Sequence, residues 1–189
     1  AAGFHGALMV THRGQPIYSA ARGFANLEWS IPNTIDTKFR IGSITKQFTA
    51  MAVLLLQERG LISVDDAVAT HVSALPSRWQ PISLHQLLTH TSGIMHSWDL
   101  PGFTETMAVP TTLDATLERF FDSPLLFRPG ADFAYSGVGY FLLAKVIEEA
   151  SKLSYDQFLQ TTIFEPLGMV NTGPDDPAVV LPGRAIGYE

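Results

Sequence analysis

The sequence predicts an α+β protein, a mostly helical body with a small β-hairpin at its N-terminal end, and three observations carry that reading. The runs Gly6-Ala7-Leu8-Met9-Val10-Thr11 and Gln15-Pro16-Ile17-Tyr18-Ser19-Ala20 flank the turn signal His12-Arg13-Gly14, the pattern of two paired strands. The stretch from Ser43 through Phe48 to Leu56 is apolar almost all round, which predicts a central, buried helix. Later segments repeat apolar residues at helical spacing up to Pro166.

Composition narrows the class. The 189 residues suit one large domain or two small ones, and 46% hydrophobic content is ample for a core. A net charge of −6 with no Lys/Arg cluster argues against a nucleic-acid surface. The longest apolar run, residues 50–56, is far short of the ~20 residues that span a bilayer, so no membrane span is expected. The absence of Cys excludes disulfides, thiol catalysis and cysteine-ligated metal, and fits cytoplasm and periplasm alike.

In chain order, Pro16 cannot donate to a ladder and is placed at a strand start or edge. Gly23-Phe24-Ala25-Asn26 reads as a turn leading into irregular chain through Pro32, Asn33 and Asp36. The helix from Ser43 stops at Gly60. Ser83-x-x-Gln86 is a capping box that opens a short helix from Leu84 to Thr89, ended by Gly93. A loop rich in Gly, Pro, Thr and Ser follows to Pro110. Leu113, Leu117, Phe120 and Phe121 form one helical face, which Pro124 terminates. Gly139, Leu142, Leu143, Val146, Ile147 and Ala150 form another. Ser154-x-x-Gln157 caps a last helix, broken by Pro166.

The candidate chemistry lies in Gly42-Ser43-Ile44-Thr45-Lys46. In a helix starting near Ser43, that serine and Lys46 stand at i and i+3, with Cβ atoms roughly 5–6 Å apart. A serine hydroxyl is a poor nucleophile until its proton is taken, and an amine held near a helix N-terminus and away from water favours its neutral, basic form. With 13 Ser and 4 Lys in the chain, such a spacing arises by chance about 0.3 times, so the motif alone is weak. On the residues alone, Ser43 is equally well a helix N-cap with Lys46 solvated in the first turn.

Taken together, Ser43-Ile44-Thr45-Lys46, Leu87-Leu88-Thr89-His90-Thr91-Ser92-Gly93, Tyr135-Ser136-Gly137 and Pro166-Leu167-Gly168-Met169 resemble the serine β-lactamase and penicillin-binding-protein superfamily. The nearest branch holds class C β-lactamases, D-Ala-D-Ala carboxypeptidases, D-aminopeptidases and family VIII esterases. The likeness runs from about Gly3 to Tyr188. It implies a β-lactamase/transpeptidase-like fold, with residues 1–42 as N-terminal strands of the sheet domain and residues 43–189 as a mainly helical domain carrying the motifs. It also implies Ser43 as the acylated nucleophile, Lys46 as its proton acceptor, and Tyr135 as the phenol that passes a proton to the leaving group. The Ser43 amide would be one oxyanion donor. The loop after Gly93 would line the cleft, which suggests Trp98 for substrate contact. An ester, β-lactam or D-peptide substrate, no cofactor, no metal, and a periplasmic or secreted location follow from the same likeness.

Two departures shape the expectation. Gly137 stands where the family has an asparagine whose amide holds the substrate's acyl-amide carbonyl. This marks Gly137 as a substrate-site position and favours an esterase over β-lactam or peptide chemistry. The family's third motif, a Lys-Thr-Gly, His-x-Gly or Trp-x-Gly on a C-terminal strand, is absent, and family members are longer. The chain is therefore expected to be the N-terminal hairpin and the helical domain, cut before the remaining antiparallel strands. A second polypeptide carrying those strands, or self-association through the hairpin, would cover the open sheet edge.

Rival chemistries find little support. No Gly-x-Ser-x-Gly elbow occurs. His85, His90 and His96 fit no zinc spacing, and six histidines in a chain of this length read as ordinary core or surface residues. Gly137-Val138-Gly139 lacks the third glycine of a dinucleotide loop. The remaining alternative to a serine hydrolase is a non-catalytic β-lactamase-like binding or structural fragment.

Overall fold

Strands β1 (Gly6–His12) and β2 (Gln15–Arg22) pair antiparallel in a computed structural model that describes residues 3–107, 109–176 and 178–188. Arg13 and Gly14, both at positive φ, form the two-residue turn whose twist matches that of the flanking strands. A register shift between Val10 and Thr11 sets Pro16 opposite Thr11, one residue into β2, where a missing N–H costs little. Leu8, Met9, Val10, Ile17 and Tyr18 are all exposed along the hairpin.

The chain divides into two compact units, one of residues 43–173 and one that joins residues 1–42 to 174–189. In the second, β3 (Phe24–Asn26) and β4 (Ile31–Pro32) pair antiparallel, where the sequence predicts only a turn and irregular chain. Strands of three and two residues are too short to show a period of two. The C-terminal segment ties in by backbone hydrogen bonds. Lys38 N–H donates to Gly183 O at 2.8 Å, Ala185 N–H to Lys38 O at 2.9 Å, and Ile186 N–H to Ala25 O at 2.8 Å. Asp175 pairs with Arg40 and, at 2.6 Å, with Arg184. The sequence groups this segment with the helices, because bridges between distant backbone groups leave no local pattern to read.

The larger unit holds helices α1 (Thr45–Glu58), α2 (Leu84–Leu88), α3 (Phe103–Thr106), α4 (Leu113–Glu118), α5 (Gly137–Ser151) and α6 (Tyr155–Leu159). A 3₁₀ turn, Gly42–Ile44, opens α1, and a π turn, Gln160–Phe164, extends α6. Both capping boxes form as the sequence predicts, Ser83 with Gln86 and Ser154 with Gln157. The helix α3 lies unforeseen in the loop before Pro110, since four residues are too few to show a helical period.

The central helix is α5, not α1. Val138, Leu142, Leu143, Val146 and Ile147 are wholly buried, and α1, α2, α4 and α6 all pack on α5. Only one side of α1 joins that core, through Thr49, Ala52, Val53 and Leu56. Met51 and Leu54 on its other side remain 49% and 48% exposed, so an all-round apolar run does not here mean all-round burial.

Truncating Leu143 to Ala is expected to cost about 2–5 kcal/mol of unfolding free energy, measured from urea unfolding by circular dichroism. Met51→Ala, on the open side of α1, should cost less than about 1 kcal/mol.

Candidate active site

The Ser43 hydroxyl lies in the 3₁₀ turn before α1 and does not cap that helix. The N-cap position belongs to Ile44, with no side-chain cap. Ser43 Oγ instead accepts two hydrogen bonds, from Tyr135 OH at 2.6 Å and from Lys46 Nζ at 3.3 Å. Half-buried Lys46, in the first turn of α1, points Nζ at two aromatic rings, 4.8 Å from the Tyr135 centroid and 5.4 Å from that of Tyr140. Burial works to raise the Tyr135 phenol, but its hydrogen bonding with Lys46 and Ser43, together with the Lys46 charge, outweighs this and holds the phenol below its ordinary range.

Tyr135 is placed by the residue that follows it. Ser136 is buried and caps α5, its Oγ accepting Gly139 N–H at 3.0 Å while donating to Met95 O at 3.0 Å. Its own N–H donates to His90 Nδ1 at 3.1 Å, and Ala134 N–H donates to His90 O at 3.0 Å. The His90 ring packs at 4.5 Å from Tyr135 and 5.1 Å from Tyr140, centroid to centroid. Burial first, then the Lys46 charge and His96, depress its proton affinity. Because Nδ1 accepts, the proton of the neutral ring is on Nε2.

The segment around His90 is locked in turn. Gly93 has φ +78°, and a Cβ there would lie 2.3 Å from Phe127 O, a backbone atom with no freedom to move aside. Leu126 N–H donates to Gly93 O and Gly130 N–H to Thr91 O, both at 2.8 Å.

Gly137, at the start of α5, is buried, and its N–H donates to His96 Nδ1 at 3.3 Å. A Cβ at this position would meet Ser97 Oγ at 3.1 Å and His96 Cε1 and Nδ1 at 3.2 and 3.3 Å. His96 meets Tyr135 edge-on at 5.2 Å and stacks on Trp98 at 5.5 Å with an interplanar angle of 13°. Trp98 is itself 65% exposed.

The structure thus brings Ser43, Lys46 and Tyr135 into one hydrogen-bonded group, connects Trp98 to it through His96, and sets Gly137 behind that imidazole. A hydroxyl flanked by an amine and a phenol at these distances has the geometry for proton removal and nucleophilic attack. Neither imidazole fits a zinc spacing, and the sequence singles out neither His90 nor His96 as a site residue. The available signals were the position of His90 inside Thr89-His90-Thr91-Ser92-Gly93 and of His96 three residues beyond it. Among the described residues no group of three metal-ligating side chains comes together, and no helix is long and apolar enough to cross a membrane.

Comparison with known proteins gives consistent matches. The sequence model of the Beta-lactamase family matches residues 2–189. A penicillin-binding protein of Bacillus subtilis is 30% identical over 177 residues, 89% of this chain and 38% of that protein. The crystal structure of a penicillin binding protein from Bacillus halodurans superposes with a TM-score of 0.85 at 31% identity, covering 96% of this chain and 57% of that one. EstCE1, a hydrolase with promiscuous acyltransferase activity, superposes with a TM-score of 0.74 at 26% identity, covering 86% of this chain and 46% of that one. The chain therefore spans less than two thirds of each of these relatives.

The Tyr135 environment predicts a titration. Phenolate absorbance, taken as the difference between the wild type and Tyr135→Phe, should rise at lower pH than an ordinary phenol. Lys46→Met should move that rise to higher pH, because a removed cation no longer favours the phenolate.

Proposed function

The chain belongs to the Beta-lactamase family, and on that premise we propose that it is a serine hydrolase working through an acyl-enzyme, with esters as preferred substrates. The observation that supports this most is the double hydrogen bond on Ser43 Oγ, from Tyr135 and from Lys46. In the proposed reaction Ser43 Oγ attacks the substrate carbonyl carbon as its proton passes to the Tyr135 phenolate, the form that the neighbouring Lys46 cation favours. The carbonyl oxygen takes up negative charge, facing the Ser43 amide at the entrance to α1. The intermediate collapses as the bond to the leaving alkoxide breaks, and Tyr135 delivers the proton to that oxygen. Water then attacks the acyl carbon by the same route in reverse, releasing the acid and restoring Ser43.

Tyr135 suits the relay because Lys46 and Ser43 favour its anion, so the phenol gains and loses a proton more readily than an isolated tyrosine. Esters are favoured over β-lactams because Gly137 offers no side-chain amide to an acyl-amide carbonyl, and an alkoxide leaves more easily than an amide nitrogen.

Activated esters and phosphonates are expected to label Ser43, and the adduct should vanish in Ser43→Ala when read by intact-mass analysis and peptide mapping. An adduct on another residue would remove the assignment. Ligand binding with no adduct at all would favour a binding fragment.

Lys46→Ala should slow acylation by roughly 10²–10⁴ with little change in substrate affinity. For the wild type, kcat/KM should be higher for short-chain nitrophenyl esters than for cephalosporins, and the reverse order would remove the ester preference.

A further inference from the structure

The reaction above needs the Tyr135 phenol beside Ser43, yet no regular element holds Tyr135 there. Residues 133–136 lie outside every helix and strand, just ahead of α5. One residue from a distant loop brackets them. His90 accepts Ala134 N–H on its carbonyl at 3.0 Å and Ser136 N–H on Nδ1 at 3.1 Å, so it holds the backbone on both sides of Tyr135. Its ring also packs on the Tyr135 ring, 4.5 Å away between centroids and tilted by 40°.

This clamp sits in an unusual conformation. His90 has φ +58°, in the left-handed region that a residue with a side chain keeps only where its surroundings impose it. The chain around α2 does so, with His90 N–H donating to Leu87 O at 3.3 Å and Thr91 N–H to Gln86 O at 2.9 Å. Tyr140 OH, from α5, donates to Leu88 O at 3.0 Å, which ties the same segment to the helix that Tyr135 precedes.

Nδ1 can accept only while the ring carries its single proton on Nε2. An imidazolium has protons on both nitrogens, and Nδ1 would then meet Ser136 N–H donor to donor. The ionisable groups facing the ring are Lys46 of α1, Tyr135, Tyr140 of α5, and His96 of the loop after Gly93. Among the described residues no carboxylate forms an ion pair with His90, so a charge on the ring would stand beside Lys46 without a carboxylate to offset it.

We infer that His90 is a positioning residue for the proposed reaction and that it works only as the neutral ring. A proton taken from solvent onto Nδ1 breaks the bond from Ser136 N–H, frees Tyr135 from one side of its clamp, and so switches off acylation of Ser43 in mild acid. The inference rests on acylation of Ser43 as proposed above and adds to it a control by pH. Burial, Lys46 and His96 lower the proton affinity of His90, which places the switch on the acid side of the ordinary histidine range.

The test follows acylation of the full chain by a short-chain nitrophenyl ester from about pH 8 down to about pH 5, the span in which a histidine changes charge. Rates are corrected with Ser43→Ala and taken where circular dichroism shows the native fold. Loss of the phenolate alone lowers the rate about tenfold per pH unit, and loss of the neutral imidazole as well makes it about a hundredfold. The wild type should show that steepening. In His90→Asn it should vanish, because the amide oxygen accepts near the Nδ1 position, the residue tolerates a left-handed backbone, and nothing titrates. His90→Ala, which keeps the carbonyl but no side-chain acceptor, should acylate about 10- to 100-fold more slowly at about pH 8 with KM little changed, whereas His90→Asn should stay within about threefold of the wild type.

A wild-type profile that never steepens, or one whose steepening persists in His90→Asn and so belongs to another group such as His96, would overturn the role of His90 alone, with Ser43 still acylated. The same follows if His90→Asn is as slow as His90→Ala. Absence of any adduct on Ser43 in the wild type would overturn the acyl-enzyme reading and this inference with it.

Discussion

Ser43 and Tyr135 are 92 residues apart in sequence and 2.6 Å apart at their oxygens, and the geometry of the site follows from how that distance is held. Each residue lies just ahead of a long helix, Ser43 before α1 and Tyr135 before α5. The two helices pack on each other within one core that includes Ala52, Val53 and Leu56 of α1 and Leu142, Leu143 and Val146 of α5. Interiors of this kind are packed as densely as organic crystals and do not deform continuously. The site is thus fixed by apolar contacts that take no part in its chemistry. One result is that the phenol of Tyr135, just ahead of α5, reaches the hydroxyl of Ser43, just ahead of α1.

His90 converts that packing into electrostatics. It receives Ser136 N–H, supplies its carbonyl to Ala134 N–H, and lies against Tyr135 and Tyr140. Its depressed proton affinity follows from burial and from its place near Lys46, so at neutral pH it adds no second cation to the site. Lys46 then acts on the Tyr135 phenol as a cation over that ring, and the phenol is drawn below its usual range despite the opposing effect of its own burial. A hydrogen-bonded but uncharged histidine lets one lysine set the balance.

The division between what the sequence discloses and what it hides follows the range of the interactions. The hairpin, both capping boxes and the faces of α4 and α5 are written in residues close together along the chain, and all can be read. The meeting of Ser43, Lys46 and Tyr135 could be expected only through a family resemblance, since nothing local to Tyr135 says where its hydroxyl goes. The β3 and β4 pair, the helix α3 and the backbone bridges from Lys38 to Gly183 and Ala185 are too short or too distant to leave a period. The reading of α1 as the central helix failed for a related reason. Hydropathy records which residues could be buried, whereas the exposure of Met51 and Leu54 depends on which neighbours are present.

Gly137 shows the same limit at the level of function. Read along the chain, a glycine in place of an amide side chain is a loss of a donor. In three dimensions the vacated space is filled by His96 from a loop 41 residues earlier, whose Nδ1 is tied to Gly137 N–H itself. The glycine and the imidazole are therefore one feature, because the ring can approach the start of α5 only where no Cβ stands. A side chain carried on a helix is aimed by that helix, whereas His96 must be aimed by its surroundings. Buried Ser97, the Gly137 amide and the face of Trp98 supply three such restraints. Restraint of this kind leaves the imidazole little freedom to turn, so the space beside Gly137 is closed by a fixed ring rather than by a mobile side chain.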